Sequence, residues 1–318
     1  MCKCLFNLMV KLLTKRIVYL QPDVNHHRET SVPLITRFDP WQSSQCTCPP
    51  KLTFNPYTGC SHNCVYCYAQ SYIPRFTDCR PKKNLLKRLE HETRKLDGET
   101  ISIANSSDPY PQMEVELGLT RKCLQMLSRN NCRIQIITKS NLVTRDADLL
   151  REKPSTVALP ITTEDEEIAK KLEPHAPTPN QRLKAVETLI QKGIQVSIRI
   201  DPIIPFINEN PAKLIATLAE IGVKHITTST YKVKRDNWKR FATIMPEQAE
   251  KLKPLFWSQG EHQNGSILLP RDFRLKILTN VRNIAFSHNI KFAVCREGLS
   301  QLNTACCDGS WLLPRLEA

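Results

Sequence analysis

The chain has 318 residues, 41% of them hydrophobic, and its 45 Lys and Arg outnumber 31 Asp and Glu to leave a formal charge of +14. That length suffices to bury one large core in a single catalytic domain with short additions, and the positive field draws in anions: nucleic acid, acidic lipid or phosphorylated metabolites. A membrane-embedded chain is excluded, because the apolar stretch Leu5 to Val10 is cut by Lys11, Lys15 and Arg16 well short of a spanning length and nothing else is long enough. With no small-residue cleavage site in evidence, the first twenty residues read as an extension and not as a secretory signal, and cytoplasmic location is the default. Thirteen cysteines point either to a secreted disulfide framework or to metal and redox chemistry in a reducing compartment, and their spacing favours the second.

In chain order, residues 1–50, with His26, His27 and several prolines, show no sustained period and predict an irregular lead-in. From Lys51 onward, short β-rich runs alternate with helical patterns. Ile101 to Ala104, Ile134 to Ile137, Val157 to Ile161, Val196 to Ile200 and His225 to Ser229 predict buried parallel strands. Arg80 to Lys95 reads as a surface helix with Leu85, Leu86 and Leu89 inward. Gln181 to Lys192 carries Leu183, Val186 and Ile190 on one helical face, with Gly193 as its stop, and Gly222 ends the next helix in the same way. Phe273 to Phe286 predicts a further helix leading into a late strand, Lys291 to Cys295. Strand and helix in repeated alternation give an open doubly wound sheet or a full or partial barrel, and periodicity does not choose between them. Both place chemistry at the carboxyl ends of the strands.

The run Asn55-Pro-Tyr-Thr-Gly-Cys60-Ser-His-Asn-Cys64-Val-Tyr-Cys67-Tyr-Ala puts three thiolates within eight residues on a glycine-containing loop after a β-like segment. Electron-carrying [4Fe-4S] clusters use four cysteines, so a set of three leaves one iron open to a chelating molecule. A closed zinc site would need a fourth ligand, and His62, between two of the cysteines, would have to supply it from inside a tight loop. The spacing Cys-x3-Cys-x2-Cys, with aromatic Tyr66 before the last cysteine, is the signature of the radical S-adenosylmethionine superfamily, in which the cofactor is cleaved reductively to a 5′-deoxyadenosyl radical.

Beyond the triad, five segments in order resemble the spore photoproduct lyase-like branch of that superfamily, over residues 51 to 300: Asn55 to Cys60, Ser107-Asp-Pro-Tyr-Pro-Gln-Met-Glu114, Thr138-Lys-Ser140 with Arg145-Asp146, Glu173-Pro-His-Ala-Pro177 with Arg182-Leu183, and Asp201-Pro-Ile-Ile-Pro205. The resemblance implies an α/β partial (β/α)6 barrel over residues 51–235, a C-terminal helix-strand extension over 236–318 packing on it, a [4Fe-4S] cluster on Cys60, Cys64 and Cys67, and an external one-electron donor of flavodoxin or ferredoxin type. It further implies S-adenosylmethionine contacts from Tyr66, Ser107, Asp108, Lys139 and Thr162, with Ser107 and Lys139 at the methionine part and Thr162 near the ribose. A lysine ammonium suits a carboxylate, and a hydroxyl suits the ribose. Equally, Lys139 reads as a solvated loop charge and Thr162 as the cap of a helix starting near Glu164. One departure concerns the reaction: Asn105 stands where spore photoproduct lyase carries its hydrogen-donating cysteine, and an amide N–H is too strong to replace a thiol. Repair of thymine dimers by that route is therefore not expected.

Candidate substrate contacts are Tyr110 and Glu114 on the loop after the strand at Ile101, and Lys232, Lys234, Arg235 and Trp238 in the basic, aromatic run Tyr231 to Phe241. That run is suited to phosphates and stacked bases of RNA or DNA, and equally to an amphipathic helix with solvated cations. A protein side chain or a small metabolite is the rival substrate, and a zinc-stabilised nucleic-acid-binding module the non-enzymatic rival. The spacings of Cys46, Cys48, Cys295, Cys306 and Cys307 match no compact ligand pattern, so their use at an auxiliary metal site stays open beside the reading as small buried side chains. Cys123 and Cys132 read as structural.

Overall fold

The computed structural model describes residues 33–38, 43 and 45–313. The apolar stretch Leu5 to Val10 and its flanking cations, His26 and His27 lie outside them. Eight strands form the central sheet: β1 (Thr36–Arg37), β2 (Leu52–Phe54), β3 (Asp97–Ile103), β4 (Asn131–Ile137), β5 (Ser155–Pro160), β6 (Gln195–Ile203), β7 (His225–Thr230) and β8 (Lys291–Val294). From β2 to β8 every strand pairs in parallel with its successor, and β1 adds antiparallel to β2. Because the spatial order is the chain order, with no reversal, the sheet winds one way and curls as a partial barrel; a doubly wound sheet would switch direction part-way. The late strand β8 belongs to this same sheet.

Side-chain alternation along the strands divides two environments. On β6, Val196, Ile198 and Ile200 join the main hydrophobic core with Ile134, Ile136, Val157, Leu159 and Ile226. The intervening residues are polar and pair among themselves: Ser197 with His225 at 2.8 Å, Arg199 with Asp201 at 2.7 Å, and Ser229 with Asp201 at 2.5 Å. A hydrophobic count alone reads these strands as buried on both faces, which they are, but the second face is buried by hydrogen bonding. A C-terminal loop enters that face: Gln135 donates to the Asp308 carbonyl, Thr227 to the Cys307 carbonyl, and Lys51 pairs with the Asp308 carboxylate at 2.6 Å.

The helix expected from Gln181 spans Pro179–Gln191. It starts two residues earlier because Thr178 accepts the Gln181 N–H in a reciprocal capping box and Pro179, lacking an N–H, occupies the first turn, where no donor is needed. Its buried Val186 and Leu189 are each worth about 1.5–3 kcal/mol of transfer free energy. Gly193, at φ +79°, ends it as expected. The late helix spans Arg271–Ser287. Among the described residues no helix is long and apolar enough to cross a membrane.

Candidate active site

The three triad cysteines sit on the loop between β2 and β3, at the carboxyl ends of the parallel strands. Two backbone features shape it. Gly59 has φ +83°, and a Cβ there would lie 2.3 Å from the Phe76 carbonyl oxygen, so only glycine lets the Cys60 N–H reach that same carbonyl at 2.8 Å. Asn63 takes a left-handed conformation, φ +51°, between the first two cysteines. The loop is then held from outside: Val65 N–H donates to the Leu172 carbonyl, Arg240 donates to the carbonyls of Val65 and Cys67 at 3.2 and 2.8 Å, and Asn237 to that of Tyr66 at 3.2 Å.

His62 does not face its cysteine neighbours. Its Nδ1 lies 3.3 Å from the His175 carbonyl and its Nε2 3.1 Å from the Asp108 carboxylate. Asp108 in turn accepts from Thr138 Oγ1 at 2.7 Å, from Lys139 N–H at 2.8 Å and from Tyr110 N–H at 2.9 Å. Burial by itself would raise this carboxyl, but His62 and these donors hold it below its ordinary value. Asp108 thus ties the cysteine loop to the end of β4, with its lone pairs already taken.

A second carboxylate organises the floor. Glu173 accepts from the hydroxyls of Tyr66 and Thr162 and from the Arg182 guanidinium, and Lys139 Nζ lies 3.7 Å away. Burial opposes its charge, but Arg182 and Lys139 outweigh burial and bring it down to about 2. Burial would likewise lower Lys139, yet Glu173 and the Cys64 thiol keep it above its ordinary value, and its ammonium sits over the Tyr66 ring, 5.7 Å from the centroid. Lys139 is therefore a half-buried, paired cation beside the cysteines, not a solvated loop charge. Thr162, 2% exposed, is bonded to Tyr66 and Glu173, while Asp165 caps the helix that follows. Sequence reasoning included Glu173 in a family segment but assigned it no role, since its partners stand 9 to 107 positions away.

The donor set suits a metal cluster. Burial pushes the Cys60 thiol up, with Asp108 adding, pushes Cys64 up to about 12 and raises Cys67. Such thiols ionise when a bound metal replaces their protons, and Lys139 lowers the cost at both Cys64 and Cys67. A family model described as the radical SAM superfamily matches residues 54–221. This chain belongs to the radical SAM superfamily. Membership implies a [4Fe-4S] cluster and S-adenosylmethionine.

Relatives of this radical SAM superfamily member include an uncharacterized protein of Mycobacterium tuberculosis, 28% identical over 198 residues, or 57% of this chain and 58% of that protein. An uncharacterized protein of Methanocaldococcus jannaschii is 32% identical over 162 residues, 49% of this chain and 61% of that one. The chain thus spans 58–61% of the length of these curated relatives. Among solved structures, spore photoproduct lyase complexed with dinucleoside spore photoproduct superposes with a TM-score of 0.62 at 15% identity, over 79% of this chain and 77% of that chain. A variant of that enzyme with bound AdoMet gives 0.60 over 79% and 78%. At such identity the likeness establishes the fold, a partial radical SAM barrel.

The remaining expected residues divide by location. Ser107 stays beside the cysteine loop, its hydroxyl 3.4 Å from Asn55 Oδ1 and 3.3 Å from the Tyr57 carbonyl. Tyr110 and Glu114 are 1% and 0% exposed, which corrects their assignment as substrate contacts. Glu114 accepts from Tyr57 and pairs with Arg145 at 2.7 Å, bracing the rim from beneath. From Arg235 onward the basic, aromatic run takes the second reading given for it, an amphipathic helix, Arg235–Ile244, whose Trp238 packs on Phe241, Phe256 and Trp257. Lys232 pairs with Glu297 at 2.6 Å and Lys234 donates to the Gly265 carbonyl, leaving Arg235 the exposed member of the four. What the helix does supply is Asn237 and Arg240 under the cysteine loop. Missed by the sequence reading were Tyr68 and Tyr72, immediately after the triad, whose rings stack with centroids 6.2 Å apart and remain 40% and 43% exposed.

Proposed function

We propose that Cys60, Cys64 and Cys67 hold a [4Fe-4S] cluster whose open iron takes S-adenosylmethionine, and that the enzyme abstracts hydrogen from a nucleic acid. When bound and reduced by an external flavodoxin- or ferredoxin-type donor, the cluster supplies the electron that splits the cofactor into methionine and a 5′-deoxyadenosyl radical. The chain's own residues bind and orient. Lys139 offers its ammonium to the methionine carboxylate, with Ser107 beside it. Tyr66 and Thr162, fixed on Glu173, present the wall along which the nucleoside lies. Asp108 positions rather than binds, by fastening the His62 segment to the end of β4.

The observation that carries the reading is the convergence of three thiols, one buried and two half-buried, with Lys139 over Tyr66 at the carboxyl rim, where parallel sheets place their chemistry. Nucleic acid is favoured by the charge of +14 and by the exposed Tyr68–Tyr72 stack beside the third cysteine, a surface on which bases lie. The structural neighbour with a dinucleoside bound is consistent with that choice. Asn105 is tied by its amide to Thr53 and Ser102, at 2.6 and 3.0 Å, and offers no abstractable hydrogen, so the product differs from that of a thiol-donating lyase.

The test is anaerobic reconstitution with iron and sulfide, followed by dithionite, S-adenosylmethionine and an assay for 5′-deoxyadenosine. Four irons per chain with deoxyadenosine formation, abolished in Cys64→Ala, is the expected result. Deoxyadenosine from the Cys64→Ala variant at the parent rate would overturn the assignment. Hydrogen abstraction from deuterated oligonucleotides, against peptides and small metabolites, decides the substrate class.

A further inference from the structure

Away from the triad, the fold gathers four more cysteines from three distant stretches of chain. Cys46 and Cys48 lie on the approach to β2, at one side of the sheet. Cys295 directly follows β8, at the other side, and its N–H bonds to the Thr228 carbonyl. Cys307 belongs to the C-terminal loop on the polar inner face. Cys48 and Cys307, 259 positions apart, bring their sulfurs to 3.5 Å. Cys46 neighbours Cys48, and Cys295 neighbours Cys307. All four are free thiols.

The 3.5 Å separation is far longer than the ~2.05 Å of a disulfide. It is close to the roughly 3.8 Å edge that a tetrahedron of sulfurs has when metal–sulfur bonds are about 2.3 Å. The surroundings suit negative charge as well. Lys51, with its side chain 3% exposed, and Arg199, 15% exposed, both act on Cys48, and Arg199 also acts on Cys295. Each of these cations also pairs with a carboxylate, Asp308 for Lys51 and Asp201 for Arg199, and their proximity lowers the cost of a thiolate at the site.

We propose that Cys46, Cys48, Cys295 and Cys307 form a tetrathiolate zinc site that fastens the two open sides of the barrel sheet to each other and to the C-terminal loop. With the side chains as they stand, no three donors among the described residues close on one ion; binding requires Cys46 and Cys295, each adjoining one member of the central pair, to turn about their Cα–Cβ bonds towards a shared ion. Zinc displaces the thiol protons that remain, and they pass to solvent. No electron transfer is involved. A soft, redox-silent ion matches four sulfurs without an open coordination position, and hence a structural role.

The experiment uses the full chain carrying Cys60→Ala, Cys64→Ala and Cys67→Ala, so that the proposed radical site contributes no metal and its failure or success stays separate. Elemental analysis after dialysis is expected to find one zinc per chain, and X-ray absorption four sulfurs around it. Adding Cys48→Ser and Cys307→Ser is expected to abolish the zinc. Should that variant not fold, Co²⁺ titrated into the demetallated triad variant is expected to give intense ligand-field bands of tetrahedral thiolate coordination with one-to-one saturation. Absence of both tightly bound zinc and the cobalt spectrum overturns the proposal. So does a Cys48–Cys307 disulfide in freshly prepared protein, or iron with inorganic sulfide in the triad variant, which would mean a second cluster.

Discussion

The Tyr66 hydroxyl, one residue before the last triad cysteine, donates to the carboxylate of Glu173, 107 positions further along the chain. The same carboxylate receives Thr162 and Arg182 and faces Lys139, so one buried anion sets the placement of every side chain proposed to line the cofactor wall. Glu173→Gln leaves buried Arg182 and half-buried Lys139 without their carboxylate. A loss of about 3–5 kcal/mol is expected in denaturant unfolding at neutral pH. Because the folded-state pKa is depressed, to about 2, against an unfolded value near ~4.3, the contribution is present above about pH 4.3 and lost as pH falls through about 2. The variant should therefore lose the acid limb of the stability profile along with its stability, and an unchanged profile would remove Glu173 from this role.

Arg240 reaches the carbonyls of Val65 and Cys67 from the helix Arg235–Ile244. Arg240→Ala is expected to leave that helix packed, since Phe241 and Trp238 hold it to Phe256, while loosening the cysteine loop. Hydrogen bonds from a charged donor are worth about 1.5–3 kcal/mol, so iron should be lost to a chelator roughly ten times faster or more. Equal rates in parent and variant, from reconstituted protein of equal iron content, would show that the loop is held elsewhere.

Tyr72 stacks on Tyr68 at the exposed end of the triad loop. If bases lie on this pair, Tyr72→Ala weakens single-stranded oligonucleotide binding by about 1–3 kcal/mol. No phosphate-neutralising cation is removed, so the slope of log affinity against log salt stays the same. An altered slope, or an unaltered affinity, would move the substrate path away from the tyrosines.

His225 is fully buried, with Ser197 at 2.8 Å, the Trp311 ring edge-on at 6.0 Å, and Asp308 and Arg199 as the charged groups facing it. Burial brings its pKa from 6.5 down to about 4. Below pH 6.5 the unfolded chain takes up the proton first, so this contribution to stability is full above about 6.5 and declines as pH falls towards 4, by about 2 kcal/mol at pH 5. Urea midpoints of metal-free protein at pH 7 and 5 should differ less for His225→Gln than for the parent by that amount.

The residue order alone determined the alternating α/β pattern, the position of the late strand and the cysteine triad, because each rests on local spacing: a two-residue period, a helical face, a capping residue, three thiols within eight positions. Local spacing also misjudged certain residues. Tyr110, Glu114 and Trp238 read as rim residues because they follow strands or lie among cations, whereas their large surfaces are satisfied only by burial against partners remote in sequence. Whether the sheet winds one way or two, that Glu173 gathers Tyr66, Thr162 and Arg182, and that Cys48 and Cys307 meet across 259 positions were decided by tertiary structure. The reason is physical: curling a parallel sheet in chain order brings its first and last strands towards one another and turns alternate strand residues inward, so the contacts of the inner face are set by the curvature of the sheet and have no counterpart in the spacing of neighbours along the chain.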